Sequence, residues 1–311
     1  MMKKDTLYLH VGWSKTGTSA VQSQIQAQHE DFLAKGILYP QSLQWPDHSH
    51  HPFALSFKGS GVYQSDMTPP QALDKLRLEM EASSAPNILL SSELSPIYFN
   101  NPKFKEFVEN YFLKVKVIFT IRPQSELLLS LFNQLVKDPN VRYGATMFTL
   151  AMRNISWLNY MQHIRQWEKH VGFSNIHVIP YSREVVQDFL DVFDVPYKPM
   201  AKNILGTAII NPSLPTRCLP LVQKFGRGNM SNPEFIRRRD KVVNLSKTID
   251  NASNKFMLFS VSEQQAFDSH FDQGNKRLIE MFSLPSSSVK KSNYTPVMAL
   301  STSELSLRDL A

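Results

Sequence analysis

Thr6-Leu7-Tyr8-Leu9-His10-Val11-Gly12-Trp13-Ser14-Lys15-Thr16-Gly17-Thr18-Ser19 is the stretch on which the fold turns. Its first half alternates bulky residues and ends at a glycine, the pattern of a buried strand. From Thr18 to Lys35 there is no Gly or Pro, and Val21, Ile25, Phe32 and Leu33 keep a loose helical period. The opening therefore reads as strand, glycine turn, helix. The turn invites comparison with the phosphate-binding pattern G-x-x-x-x-G-K-[ST]. Gly12 and Gly17 have the required spacing and Ser19 fills the last place, but Thr18 stands where the lysine belongs and Lys15 lies three residues earlier. Backbone N–H groups of such a turn converge at a helix N-terminus, where the helix dipole adds positive potential. With hydroxyls from Thr16, Thr18 and Ser19 and the charge of Lys15, the turn reads as a cradle for phosphate or sulfate. The competing reading is a strand-to-helix cap, since Gly, Ser and Thr favour helix starts in any case.

Outward from this stretch the alternation continues. Strands are expected at Asn87–Ser92, Val115–Ile121 and Ile176–Ile179, with helices over 71–84, 102–113, 124–137, 156–171 and 183–193. Pro123 suits a helix N1 position. Residues 40–70, with five prolines and two glycines, read as irregular. The fold class is α/β: a P-loop-like, mostly parallel sheet with helices on both faces. Beyond 200 the strand signals fade and helices are expected near 215–226, 232–248 and 262–282. The division is a core over 1–200, a helical C-terminal part of the same domain over 201–284, and a polar, loose tail over 285–311.

The 311 residues carry 34 Lys and Arg against 27 Asp and Glu, a formal charge of +7, which favours an anionic ligand. A hydrophobic share of 42% and a charged share of 20% exclude disordered and fibrous classes. The single cysteine, Cys218, rules out an intrachain disulfide and a cysteine-based metal site. Runs such as Val117-Ile118-Phe119 are far too short to span a bilayer, and no signal-peptide pattern is present. The expected location is the cytoplasm, which makes the glycosylation sequons, Asn154 among them, without meaning.

A second loop matches the first. Ile121-Arg122-Pro123 ends a strand, and Ser130 follows Arg122 by eight residues, two turns into the next helix. An arginine at the C-terminal end of a parallel strand sits where open α/β sheets bind ligands, and its planar fork fits a phosphate. Taken alone, Arg122 reads equally as half of an ion pair and Ser130 as a solvated helix residue. Together these pieces resemble sulfotransferases that use 3′-phosphoadenosine 5′-phosphosulfate (PAPS). Lys15-Thr16-Gly17-Thr18-Ser19 looks like the family's 5′-phosphosulfate loop. Arg122 with Ser130 looks like its 3′-phosphate site. The stretch Trp157 to Tyr181 resembles the segment whose tyrosine contacts adenine. His10-Val11-Gly12 ahead of the loop is similar to bacterial sulfotransferase-domain proteins. The resemblance implies a donor site built from Ser14, Lys15, Thr16, Gly17, Thr18, Ser19, Arg122, Ser130 and Tyr181. It covers residues 5–195. Beyond that, Asn211-Pro212-Ser213-Leu214 and Asn275-Lys276-Arg277-Leu278 suggest such proteins. The family's C-terminal Arg-Lys-Gly phosphate loop is absent as such, with Arg227-Gly228 or Arg237-Arg238-Arg239 as its replacements.

Sulfuryl transfer needs a cation at the leaving oxygen and a base for the acceptor proton. Lys15 is the cation. Glu93, at the end of the second long strand in Leu90-Ser91-Ser92-Glu93, is one candidate base; the alternative for it is a helix cap. His50 and His51, in Asp47-His48-Ser49-His50-His51, are the rivals, since histidine titrates near neutrality. That cluster lacks a fixed metal-ligand spacing. Trp157, Tyr160 and Trp167 lie at helical spacing and read as core. The arginine run reads first as a solvated helix face. The expectation is a PAPS-dependent sulfotransferase acting on a hydroxyl of a carbohydrate or small metabolite, with no metal and no nucleic-acid partner. Its rivals are a P-loop kinase or nucleotide hydrolase, and a basic anion-binding protein without catalysis.

Overall fold

The computed structural model describes residues 3–57, 65–94, 101–200, 214, 216–246 and 258–289. In chain order its main elements are β1 (Lys4–Gly12), α1 (Thr18–Ala27), α2 (His29–Ala34), β2 (Ile37–Leu38), α3 (His51–Ser56), α4 (Pro69–Ala82), β3 (Asn87–Ser91), α5 (Pro102–Tyr111), β4 (Phe112–Ile121), α6 (Gln124–Lys137), α7 (Met147–Arg153), α8 (Tyr160–Val171), β5 (Ile176–Pro180), α9 (Val185–Asp191), α10 (Leu219–Gly226), α11 (Asn232–Ser246) and α12 (Val261–Phe282). They form two compact units, one of Met1–Arg122 with Tyr160–Gly206 and one of Pro123–Asn159 with Thr207–Ala311.

The first unit holds a five-stranded sheet of order β2-β3-β1-β4-β5 in which every pair is parallel. Leu9 of β1 lies opposite Leu90 of β3 and Val117 of β4. Parallel pairing puts the C-terminal ends of β1, β3, β4 and β5 on one edge, which is where open sheets bind ligands. The period of two divides each strand between faces. Tyr8 and His10 meet Phe193 and Phe189 beside α9, at ring distances of 5.0 and 4.7 Å. Leu89 and Ile118 join this core with Val21 and Ile25 of α1 and Phe32 of α2. On the opposite face, Phe119 meets Trp167 of α8. Helices thus cover both faces, and each fully buried side chain contributes about 1.5–3 kcal/mol.

The differences from the sequence reading are local. The helix expected over 18–35 divides at Gln28, whose φ of −110° and ψ of 27° leave the helical region. Its amide is tied to Asp31 and the Pro196 carbonyl, so the division is held by side-chain bonds that periodicity does not show. The short β2 precedes the irregular stretch, which itself contains α3, started by Pro52 in its first turn. α4 begins at Pro69 behind a Thr68–Gln71 capping box. α8 begins at Tyr160 rather than 156.

The second unit is helical, as expected beyond 200, and also takes in α6 and α7. α6 packs with α7 and α10, and α10 with α11. Asn133 of α6 donates to the Leu214 carbonyl at 2.8 Å and accepts from its N–H at 3.3 Å. Gln124 and Asn275 exchange amide bonds of 2.8 and 3.1 Å. Cys218 is buried and forms no disulfide. Residues 286–288 form a short 3-10 turn; the rest of the expected tail, from 290, and Asn211-Pro212-Ser213 lie outside the described residues. Among the described residues no helix is long and apolar enough to cross a membrane.

Candidate functional site

β1 ends at Gly12 with φ 72°, a left-handed conformation. A Cβ there would fall 2.6 Å from the Cβ of Glu93, so the glycine is what lets the residue beyond β3 close on the turn. The turn is then pinned from below. The Trp13 N–H donates to the Thr120 carbonyl at 2.7 Å, and the indole packs on Phe119 and Tyr160. Lys15 takes φ 68° and Gly17 φ 85°. Gly17 is the N-cap of α1 and supplies no side-chain cap, leaving the first N–H groups of the helix to face the turn. Its missing Cβ would meet Val185 at 2.9 Å and the Tyr181 ring at 3.3 Å.

Two of the hydroxyls expected in the cradle are committed elsewhere. Thr16 is fully buried and its hydroxyl bonds the Trp13 carbonyl and the Thr120 hydroxyl. The Thr18 hydroxyl donates to Oε1 of Glu93 at 3.2 Å. Both residues can still offer main-chain N–H groups. Ser14 and Lys15 are half-buried and Ser19 is exposed.

Two cations meet at this turn. Arg122, just past β4, donates from Nη1 to the Lys15 carbonyl at 2.9 Å, and its guanidinium lies 4.7 Å from the Tyr181 ring centre. Tyr160 donates to the Arg122 carbonyl at 2.7 Å, so its place is structural, as expected. The Lys15 ammonium is held below the ordinary lysine pKa, first by burial and then by the nearby Arg122 charge, while Glu93 pulls it back up. Lys15 therefore lies within electrostatic reach of both.

Glu93 and the histidine cluster, rivals in sequence, converge in space. Gln22 of α1 donates to Oε2 of Glu93 at 3.3 Å. His51 Nε2 lies 3.7 Å from Oε1, and its Nδ1 lies 2.8 Å from the Ser92 hydroxyl. His50 has a different place. The Ser91 N–H donates to its Nδ1 at 3.0 Å, so Nε2 carries the proton and donates to the Pro40 carbonyl at 2.8 Å. Both ring nitrogens are used, the side chain is fully buried, and burial pushes its pKa down to about 4. It bolts the segment before α3 to β3. Gln22, Ser91 and Ser92 did not stand out in sequence. The signals were there: Gln22 follows Thr18 by one helical turn, and Ser91 shares the face of Glu93 by the period of two.

The remaining expectations scatter. Tyr181 is 40% exposed beside Gly17 and Arg122. Ser130 is half-buried on α6 in the second unit, and its pairing with Arg122 stays a sequence-based assignment. Trp167 is core, and Trp157 is half-buried. Arg227 donates to the Gly144 carbonyl, Arg238 bonds Glu234 at 2.8 Å, and Arg239 bonds Asp240 and the Lys137 carbonyl.

No protein-family model matches the chain. No curated protein matches it either. Three solved structures show distant likeness. Mouse sulfotransferase SULT7A1 complexed with PAP is 13% identical over 90% of each chain, with a TM-score of 0.42. The sulfotransferase domain of the Synechococcus PCC 7002 olefin synthase is 15% identical over 79% of this chain and 95% of that one, at 0.36. The sulfotransferase domain from the curacin biosynthetic pathway is 16% identical over 87% and 98%, at 0.38. Likeness this distant leaves the activity to the geometry of the site.

Proposed function

We propose that the chain is a PAPS-dependent sulfotransferase, of the bacterial sulfotransferase-domain type, acting without a metal on a hydroxyl of a carbohydrate or small metabolite. The observation that carries this reading is the meeting of Lys15 and Arg122 at a glycine turn that faces a helix N-terminus, with the Glu93 carboxylate alongside. Two like charges in mutual reach repel, and an anion seated between them removes the repulsion. The residue in the place of the nucleotide-triphosphate lysine, Thr18, gives its hydroxyl to Glu93, which speaks against the kinase and hydrolase readings.

In the proposed reaction the N–H groups of the turn and of α1 hold the 5′-phosphosulfate, with Ser14, Lys15, Thr16, Gly17, Thr18 and Ser19 lining it. The acceptor oxygen bonds to sulfur as the bridging bond from sulfur to the phosphate oxygen breaks. The charge that grows on that oxygen is met by the Lys15 ammonium. The acceptor proton passes to the Glu93–His51 pair, with Glu93 as the base and His51 close enough to share the charge. Arg122 offers its fork to the 3′-phosphate, and Tyr181 lies beside it for the adenine. A single cysteine, which can form no intrachain disulfide, fits a reducing compartment, and we place the chain in the cytoplasm.

Thermal stabilisation tests the donor class. A ligand that binds only the native state stabilises it by about 2.7 kcal/mol at a hundred times its Kd. Adenosine 3′,5′-bisphosphate should raise the Tm more than ATP with Mg²⁺; the reverse order would favour a phosphoryl-transfer enzyme.

A further inference from the structure

Gln22 is 1% exposed, and its side-chain nitrogen has two targets. One is Oε2 of Glu93 at 3.3 Å and the other is the Ser91 hydroxyl at 3.1 Å. A carboxamide carries two N–H protons, one for each. Thr18, one turn earlier on α1, holds the other carboxylate oxygen at 3.2 Å. Both oxygens of Glu93 are therefore gripped by the helix whose N-terminus borders the anion turn.

The grip has a support behind it. The Ser91 hydroxyl lies 2.8 Å from Nδ1 of His10. His10 is 1% exposed, its ring rests against Phe189, and its buried Nε2 has no hydrogen-bond partner among the described residues. A buried ring nitrogen left unpaired is costly, and an apolar residue would fill this place in the core more cheaply. Burial lowers the His10 pKa to about 3. The ring stays neutral across any working pH, so the line from Glu93 to His10 moves no proton and acts as a rigid brace.

We propose that Gln22 is a positioning residue: braced by Ser91 and His10, it fixes the Glu93 carboxylate in the orientation that faces His51. The catalytic part of this statement rests on the reading of Glu93 as base; the positioning part does not. The ionisable groups that face Glu93 are His51 from α3, Lys15 from the turn and Tyr39 beyond β2. Among the described residues Gln22 is the donor to Oε2, so loss of the amide frees that oxygen and lets the carboxylate turn away from His51.

The test replaces Gln22 by Leu, similar in volume and without donors. The Glu93 carboxyl signal is followed by carbon NMR on glutamate-labelled protein and assigned by its loss in Glu93→Gln. Expected in Gln22→Leu are a displaced Glu93 signal and a 10- to 100-fold fall in kcat with KM unchanged. Affinity for adenosine 3′,5′-bisphosphate should stay within twofold. In a Glu93→Gln background, Gln22→Leu should cost nothing further. An undisplaced Glu93 signal, or the same loss of kcat in both backgrounds, overturns the proposal and leaves Gln22 as a tie between α1 and β3. Ser91→Ala, which withdraws only the support, should move both readouts in the same direction by less, and it serves if Gln22→Leu does not fold. An active Glu93→Gln enzyme whose Gln22→Leu counterpart still shows the displaced signal would remove Glu93 as base and keep the positioning.

Discussion

The β1–α1 turn and the arginine run of α11 are both rich in cations, and they differ in how those cations are used. In α11, Arg238 is matched by Glu234 one turn away, and Arg239 by Asp240 and a carbonyl. At the turn, Lys15 and Arg122 lie in each other's field, and Arg122 bonds the Lys15 main chain. Two positive charges are thus concentrated beside one carboxylate. Counting basic residues favours α11; the balance of charge favours the turn. A site for an anion is marked by positive charge brought together where main-chain N–H groups also converge.

The largest effect that could break this contrast is at the carboxylate. Glu93→Gln should lower transfer by about 10²–10⁴-fold while nucleotide binding survives, as expected for loss of a general base. Steady-state transfer with a labelled donor, alongside nucleotide titration, checks both halves. An active variant would make Glu93 a mere counter-charge to Lys15.

Next is Lys15→Ala, for which a fall of about 10²-fold in turnover is expected from loss of a cation at a developing charge. The same lysine gives the contrast a pH dependence. Its pKa lies below 10.5 in the free protein, and a bound anion must raise it. Affinity for adenosine 3′,5′-bisphosphate should therefore be full while Lys15 is protonated and decline as pH rises through its lowered pKa. Titration calorimetry across the alkaline range would show it, and Lys15→Arg should carry the affinity to higher pH.

Arg122→Ala should weaken the 3′-phosphorylated nucleotide by roughly 1.5–3 kcal/mol, the scale of a charge-assisted hydrogen bond. Adenosine 5′-phosphosulfate should lose far less. Equal losses would confine Arg122 to bracing the turn through Lys15.

The smallest effect belongs to α11. Exposed pairs one helical turn apart contribute about 0.3–0.5 kcal/mol, so Arg238→Ala should leave nucleotide affinity unchanged and barely move the Tm. A large loss of affinity there would reverse the comparison.

Much of this was legible in the sequence because the information is local. The alternation of Leu7, Leu9 and Val11, the glycines of the turn and the helical spacing of Val21 and Ile25 determine β1, the turn and α1 by covalent periodicity and steric preference alone. The same local rules placed Glu93, Arg122 and Lys15 at strand ends, hence on one edge once the strands are parallel. Helix ends were less legible, since Gln28 breaks the first helix through bonds to Pro196 far along the chain.

Only the tertiary structure decided what those side chains do to one another. Sequence separates Glu93 from His51 by 42 positions and casts them as rivals; the fold sets them 3.7 Å apart. It also sorts neighbours: His50 is sealed in the core with both nitrogens bonded, while His51, next in the chain, turns to the carboxylate. Thr16 and Thr18, alike as hydroxyl donors on paper, spend their hydroxyls on Thr120 and on Glu93. Residue type sets which bonds a side chain is able to make, but the partner it makes them with is set by which strands and helices pack against it. That depends on contacts between distant parts of the chain, which no local pattern carries.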